Sequence, residues 1–216
     1  MEARTCDRCE HICGFRFERP YAPMDWIEGD PLSPIWIIGL NPRTSNSAEF
    51  QNELRTRSLK ATRANFAVHA QKASYFRIFS RVSPDLYRSL GHQVAHTDLV
   101  KCESSSWPPP NVSSDDKMKI IQNCVGYLRS QIETHKPRML ICNGADTSRE
   151  VRRLLPAPQG TPENAPSYVA SIPGGSVTVV MSGFLKQLDN FSLRRIGMEI
   201  EILAERLGIA LKARNG

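Results

Sequence analysis

Cysteine spacing is the first feature of the sequence that could support chemistry. Cys6 and Cys9 form a C-x2-C pair, while Cys102 and Cys124 stand singly much further along the chain. A C-x2-C spacing lets two thiolates face one metal, so the pattern is typical of a zinc site or an iron–sulfur cluster. Ordinary reduced thiols remain the alternative, because spacing alone does not show that the distant cysteines converge.

Polar or small residues follow four short apolar segments of the sequence. Asn41, Asp98, Gly144 and Ser182 each come at or just after the end of such a segment. In α/β folds, ligand sites lie beyond the carboxyl ends of the strands, so we expect these four residues to share one site. For Asn41 the alternative is that Asn-Pro merely ends a strand, since this dipeptide is a common turn former.

The elements that would position these residues alternate between strand and helix. Apolar segments predict four strands, and polar or amphipathic segments between them predict helices. The strands are expected at 35–40, 93–100, 137–143 and 176–181, and the helices within 49–90, 114–134, 146–155 and 190–207. Residues 156–175 hold five prolines and predict a long loop. We therefore expect an α/β fold with a central, mostly parallel four-stranded sheet flanked by helices.

Length and composition narrow the function classes. The 216 residues predict a single domain over 1–216, with a cysteine-bearing N-terminal arm over about residues 1–34. The aromatic content of 7% and the mixed charge distribution argue against a disordered chain. No membrane span or secretory leader is expected, so we predict a cytoplasmic protein. The net charge of +6 suits a nucleic-acid partner but is also explained by solubility alone.

Four motifs in order along the chain together resemble one family. They are the C-x2-C of Cys6 and Cys9, the segment Gly39-Leu-Asn-Pro-Arg, the segment Thr97-Asp-Leu-Val-Lys-Cys followed by Trp-Pro-Pro-Pro, and the helix headed by Cys124 that runs into Lys136-Pro-Arg-Met-Leu-Ile-Cys-Asn-Gly. This set resembles the uracil-DNA glycosylase superfamily, and is most similar to its iron–sulfur (thermophile-type, family 4) branch. The Gly39 segment looks more like the first motif of the mismatch-specific and single-strand-selective branches. The resemblance spans residues 6 to about 185.

The resemblance implies a fold, an activity and a cofactor. The fold would be that of the glycosylases, and the activity would be base-excision repair, in which hydrolysis of the N-glycosidic bond of uracil or a related damaged base leaves an abasic site. Cys6, Cys9, Cys102 and Cys124 would hold a [4Fe–4S] cluster, with zinc as the less favoured alternative. Cys13 and Cys142 have no counterpart in the family and are expected to be buried apolar thiols.

The resemblance also implies site residues. Asn41 would position the nucleophilic water, and Leu40, Phe50 and Asp98 would bind the extruded base, with Phe50 as the stacking platform. Lys186, Arg194 and Arg195 would contact DNA phosphates beside a wedge residue, either Phe184 or Leu185. We expect a monomer with DNA as its partner.

Two departures from the family pattern affect the chemistry. Asp98 stands where the family has an Asn that donates to uracil O4 and accepts from N3–H; an ionised carboxylate has no such donor, so either burial protonates Asp98 or the preferred base offers two donors. The family's C-terminal catalytic His is also missing, since the last histidine is His135. Ser182, Lys186 or backbone N–H groups would have to replace it in part. The alternative functions are therefore a catalytically weak or inactive cluster-bearing nucleic-acid-binding relative, or, more distantly, a zinc-stabilised α/β enzyme of another class.

Overall fold

A five-stranded sheet lies at the centre of the fold. The computed structural model describes residues 6–13, 15–17, 22–42, 58–104 and 106–211. In the described residues the sheet strands are β3 (Ile35–Gly39), β4 (Val94–Asp98), β5 (Met139–Asn143), β6 (Ser167–Ile172) and β7 (Gly175–Ser182), in the spatial order β4-β3-β5-β7-β6. A separate antiparallel hairpin joins β1 (Cys6–Cys9) to β2 (Phe15–Phe17), with the short helix α1 (Glu10–Cys13) between them.

Four of the five strands are parallel, which confirms the predicted α/β class. Pairing is parallel between β3 and β4, between β3 and β5, and between β5 and β7. All five residues of β3, β4 and β5 are buried, as expected for strands covered by helices on both faces. The register places Gly39 beside Asp98 and Asn143 beside Ser182, so the carboxyl ends of all four parallel strands form one edge.

The fifth strand lies in a segment that was expected to be a loop, so the predicted count of four strands is wrong. Strand β6 pairs antiparallel with β7 through a turn at Gly174, which adopts a φ of +79°. The prolines of this region flank β6 at Pro166 and Pro173 and do not interrupt it. Its residues alternate between buried and exposed, the period-2 pattern of a strand at the edge of a sheet.

Helices cover both faces of the sheet. They are α2 (Leu59–Lys72), α3 (Phe79–Val82), α4 (Pro84–Arg88), α5 (Ser114–His135), α6 (Ala145–Leu154) and α7 (Asn190–Arg206). Ser58, Ser83, Ser113 and Asp189 cap the N-termini of α2, α4, α5 and α7 by accepting from backbone N–H groups of the first turn. Of the helices in the described ranges, none combines the length and the apolar character needed to cross a bilayer.

Two apolar layers lie on opposite faces of the sheet. Trp36 and Ile38 of β3 point into one layer, which also contains the buried residues of α5 and α6 and the cysteines Cys6, Cys9, Cys102 and Cys124. Ile35 and Ile37 point into the other layer, formed with α2, α3, α4 and α7. The four cysteines therefore share one side of the sheet, and the hairpin that carries Cys6 and Cys9 packs against α5 there.

Helix α7 approaches the backbone of α3 so closely that the crossing point requires a glycine. A Cβ at Gly197 would lie well inside van der Waals contact of the Val82 carbonyl oxygen. We expect Gly197→Ala to destabilise the protein by about 1–3 kcal/mol, because two backbones would have to separate. Thermal unfolding measures this. The control is Gly126→Ala on α5, where a Cβ meets nothing within 4 Å; the expectation is contradicted if both variants keep the parental Tm.

Candidate active site

The carboxyl ends of β3 and β4 bring a buried carboxyl group against a glycine. Asp98 is 3% exposed, and its Oδ2 accepts from the Trp26 indole N–H at 3.3 Å. A side chain at Gly39 would collide with Asp98 Oδ1 and would come within 2.8 Å of His96 Nε2 and 3.1 Å of the Tyr75 hydroxyl. Gly39 therefore allows three polar groups from two other elements to converge at the strand end.

Behind Asp98 lies a buried histidine paired with a glutamate. His96 Nδ1 is 2.6 Å from Glu28 Oε2, and the backbones of these two residues also exchange hydrogen bonds at 2.8 and 2.9 Å. His96 Nε2 lies 3.7 Å from Asp98 Oδ1 and has no hydrogen-bond partner within the described part of the chain. The rings of Phe66, Tyr75 and Phe76 pack around the imidazole. Glu28, His96 and Asp98 thus form one buried row.

Burial and the charges of neighbouring groups shift the pKa values of Asp98 and His96. Burial raises the pKa of Asp98 above its ordinary value, and the charge of Glu28 raises it further against the opposing effects of His96 and Lys101. Burial by itself lowers the pKa of His96, but the charges of Asp98 and Glu28 outweigh it and the pKa is raised. The two groups are therefore poised to hold a proton in a buried position.

A hydrogen-bonded tie links the end of β5 to the segment that follows β7. Asn143 donates from Nδ2 to the Tyr75 hydroxyl at 2.9 Å, and its Oδ1 accepts from the Leu185 backbone N–H at 3.0 Å. Burial raises the pKa of Tyr75, so this hydroxyl stays neutral. Asn143 thereby fixes the position of the chain beyond β7 relative to the site.

Lys101 is a fully buried cation one residue before Cys102. Its Nζ donates to Thr97 Oγ1 at 2.8 Å, to Gln131 Oε1 at 2.8 Å and to the Asp98 carbonyl at 2.5 Å. Burial lowers the pKa of Lys101 to about 7. These bonds tie the loop after β4 to helix α5 and explain why a lysine stands in the second motif.

Asn41 and Leu40 lie at the carboxyl end of β3 and are both half-buried. Asn41 donates from Nδ2 to the Pro42 carbonyl at 3.0 Å. Its Oδ1 accepts no hydrogen bond from the other residues in the described ranges. The Leu40 carbonyl accepts from the Val100 backbone N–H, which ties this segment to the end of β4. Phe50, the predicted stacking platform, lies outside the described residues.

Ser182 ends β7 with its hydroxyl occupied by the backbone. Its Oγ lies 2.7 Å from the Cys142 carbonyl oxygen and 2.9 Å from that of Gly183, and its backbone N–H donates to Ser148 Oγ at 3.2 Å. A hydroxyl has a single proton, and here that proton is engaged by a carbonyl. Ser182 therefore shares the site's edge but offers the base no free donor in this arrangement.

The four cysteines of the predicted ligand set are all buried, with exposures of 2–8%, and none forms a disulfide. A hydrogen bond from Cys124 lowers the pKa of Cys9 to about 6, and the same bond together with burial raises the pKa of Cys124. Asn123 also donates to Cys9 Sγ at 3.4 Å, and the charge of Cys102 acts on Cys124. Within the described ranges, however, no three His, Cys, Asp or Glu side chains are arranged to hold one metal ion. The thiols are thus grouped, but a coordination geometry is not formed.

Cys142, for which no metal role was expected, is fully buried in β5, and its pKa is raised by burial alone. It thus behaves as an apolar core thiol. The side chain of Cys13 lies outside the described part of the structure.

A basic surface with an exposed aromatic ring follows β7. Lys186, Arg194 and Arg195 are all exposed, and the Arg195 guanidinium lies 5.8 Å from the ring centre of Phe191, which is 71% exposed. Leu185, one of the two expected wedge residues, is fully buried and does not protrude, and Phe184 is half-buried. Helix α7 begins eight residues after β7 ends, so Phe191 is an exposed ring on the segment that leaves this edge of the sheet.

Sequence reasoning places Asn41, Asp98 and Ser182 at one edge but misses the polar groups behind them. These are the buried His96, Lys101 and Asn143 and the partly buried Glu28 and Tyr75. One signal was available: His96 stands two residues before Asp98, so both side chains must lie on the same face of β4. Glu28 and Tyr75 carry no such signal, because they reach the site from loops.

Comparison of the chain with protein-family models gives a match to the uracil DNA glycosylase superfamily over residues 27–185. This range is more than half of the chain and includes Glu28, Asn41, His96, Asp98 and Ser182. A search of the curated proteins found no match.

Proposed function

The chain belongs to the uracil DNA glycosylase superfamily, and on that premise we propose that it is a DNA glycosylase that hydrolyses the N-glycosidic bond of uracil or a related damaged base and leaves an abasic site. The observation that carries this proposal is the convergence of Asn41 and Asp98 at one edge of the parallel sheet, inside the matched range. An acceptor that positions water and a group that reads the base are the two components such a reaction needs.

Asn41 supports the hydrolytic step. As the bond between C1′ and the base breaks, its electron pair stays on the base and the sugar becomes oxocarbenium-like, so the attacking water needs to be positioned more than deprotonated. The Oδ1 of Asn41 has no hydrogen-bond partner among the described residues and can hold that water, while the amide nitrogen donates to the Pro42 carbonyl. The water oxygen adds to C1′ and its surplus proton passes to solvent.

Base binding is proposed for Leu40, Phe50 and Asp98, of which Asp98 holds its carboxyl group beside Gly39 at the carboxyl end of β4. A catalytic role for Ser182 stays a prediction. Its engaged proton argues that backbone N–H groups, more than its hydroxyl, would meet charge on the departing base.

DNA binding is proposed for the exposed basic residues at the start of α7 and just before it. Lys186, Arg194 and Arg195 offer positive charge on the edge where the site lies, and Phe191 adds an exposed ring on which an unpaired base can stack. The proposed partner is therefore DNA, contacted chiefly through its phosphates.

A [4Fe–4S] cluster held by Cys6, Cys9, Cys102 and Cys124 is proposed as the resident cofactor, with zinc as the alternative. The donor set supports it: four buried thiols, none of them in a disulfide, lie on one side of the sheet and come from the hairpin, the loop after β4 and helix α5. Such a group would supply structural cross-linking, joining the N-terminal hairpin to the domain. No step of the hydrolysis depends on it.

Phosphate contacts make DNA affinity depend on salt. Replacing Lys186, Arg194 and Arg195 together by alanine should reduce the slope of log Kd against log salt by about 2 to 3, because each lost contact releases about 0.9 fewer counterions. Fluorescence anisotropy with a labelled duplex at several salt concentrations measures the slope. Arg129→Ala, at an exposed position on α5 away from this edge, is the control. An unchanged slope in the triple variant would show that DNA binds elsewhere.

The decisive experiment is a glycosylase assay over a panel of single-base lesions, each in single-stranded and double-stranded oligonucleotides. We expect release of uracil or a related damaged base and alkali-labile abasic sites. The absence of any histidine after His135 favours a second candidate, a nucleic-acid-binding relative that has lost catalysis. DNA binding without cleavage of any lesion would support that candidate and reject the enzyme.

A further inference from the structure

Asp98 poses a chemical problem for a site that reads uracil. Uracil presents a hydrogen-bond acceptor at O4 beside a donor at N3–H, so a single side chain that reads both must donate and accept. An ionised carboxylate only accepts. The following inference rests on the proposed function and concerns how this site recognises its base.

The residues behind Asp98 are arranged to hold a proton next to it. Glu28 accepts from His96 Nδ1 at 2.6 Å, which leaves His96 Nε2 facing Asp98 Oδ1 at 3.7 Å. That nitrogen is buried and lacks any other partner in the described ranges. Gly39 keeps the space between these groups free of a side chain.

The charges that face the row come from every element around it. Glu28 and Asp98 are acidic, Tyr75 stays neutral, and Lys101 directs its Nζ to the backbone carbonyl of Asp98 and to two neutral side chains. The rings of Phe66 and Phe76 also pack against His96, and the Trp26 indole N–H donates to Asp98 Oδ2. One proton placed between His96 and Asp98 gives the row the same net charge whether it sits on the imidazole or on the carboxyl group. Moving it between the two therefore changes no net charge inside the protein.

We propose that Glu28 and His96 are positioning residues that keep one proton on the His96–Asp98 pair, and that this proton lets Asp98 donate to uracil O4 while it accepts from N3–H. When the proton rests on His96 Nε2, Asp98 is an acceptor; when uracil enters, the proton moves to Oδ1, the carboxyl oxygen that faces His96. Oδ1 then donates to O4, while Oδ2 accepts from N3–H beside the Trp26 indole N–H. The carboxyl group then presents the same donor–acceptor pair as a carboxamide.

The sign of the pH dependence follows from the raised pKa values of His96 and Asp98. The pair holds its proton below the raised value and loses it as the pH rises, so uracil recognition is lost on the alkaline side. Glu28→Gln keeps an oxygen that accepts from His96 Nδ1 but removes the negative charge that raises both pKa values. The alkaline limb of kcat/KM should move about one pH unit lower, a loss of about tenfold on that limb, with little change on the acid side.

Measuring Glu28→Gln in a second variant, Asp98→Asn, distinguishes the proposed role of Glu28 from a merely structural one. Asp98→Asn supplies the O4 donor without a titrating proton, so its kcat/KM on uracil should lack the alkaline limb. Glu28→Gln added to Asp98→Asn should then have no further effect, whereas a structural role would lower activity equally in both backgrounds. Glu163→Gln, an exposed position in the loop before β6, is the matched control. Equal losses in both backgrounds, or an alkaline limb that persists in Asp98→Asn, overturns the proposal.

A readout without catalysis distinguishes failure of this inference from failure of the proposed function. The nitrogen chemical shifts of the His96 ring, followed against pH in the intact protein, report when the pair loses its proton. We expect the midpoint to fall in Glu28→Gln and to stay in place in Glu163→Gln. If no lesion is cleaved, the proposed function fails while this titration still decides the inference; an unchanged midpoint in Glu28→Gln overturns it.

Discussion

Replacing Asn41 by alanine is expected to lower kcat on a uracil-containing oligonucleotide by about 100-fold or more, because loss of a positioned nucleophile costs on that order. The Oδ1 of Asn41, which accepts from no group in the described part of the chain, is the side-chain atom proposed to hold the water. KM and DNA affinity should change little, which is the signature of an interaction made chiefly in the transition state.

Single-turnover cleavage and anisotropy binding, measured on the same preparation, test the Asn41 prediction. Asn164→Ala, in the exposed loop before β6, is the control and should behave like the parent. If Asn41→Ala releases bases at nearly the parental rate, another group positions the water. If it loses activity and DNA binding in parallel, Asn41 acts in binding and the assignment fails.

Replacing Cys102 by serine is expected to remove the proposed cluster and to destabilise the fold. Cys102 is 3% exposed between the sheet and α5, so losing a ligand there would detach the hairpin that carries Cys6 and Cys9. Because metal binding free energy is also folding free energy, a loss of several kcal/mol corresponds to a Tm lower by about 10 °C or more in a protein of this size.

Iron and sulfide content, colour and thermal unfolding of protein purified without air measure this effect. Cys142→Ala is the matched control: it removes an equally buried thiol that lies outside the proposed ligand set, and iron content should be retained. One zinc per chain and no iron in the parent protein would replace the cluster with a zinc site. Unchanged iron content in Cys102→Ser would remove Cys102 from the ligand set.

The parallel core could be predicted because its strands need little context. All of β3 and the first four residues of β5 are apolar or glycine, which is the pattern of strands buried on both faces. Once these strands are parallel, their carboxyl ends must share an edge, and the meeting of Gly39 with Asp98 follows from the register. The fold class and the location of the site were therefore accessible from local patterns.

The remainder depended on contacts that local patterns do not encode. Local sequence patterns do not reveal strand β6, because the prolines at both of its ends are typical of a loop. Glu28 reaches His96 across 68 positions in the chain, and nothing in the spacing of the two residues indicates that pairing. Leu185 was expected to protrude as a wedge, but the bond from its backbone N–H to Asn143 holds that turn against the core. In each case tertiary structure decides which side chains are paired or buried.

The order of the strands in the sheet also determines when the site can form during folding. Four parallel strands carry or immediately precede the site residues Asn41, Asp98, Asn143 and Ser182. Two parallel neighbours can pair only after the segment that connects them has crossed back over the sheet. Such a topology has high contact order, and no two of these residues can be brought together by a local hairpin. The candidate site is consequently absent from every fragment that lacks one of the four strands, and the proposed base release should begin only when the sheet is complete.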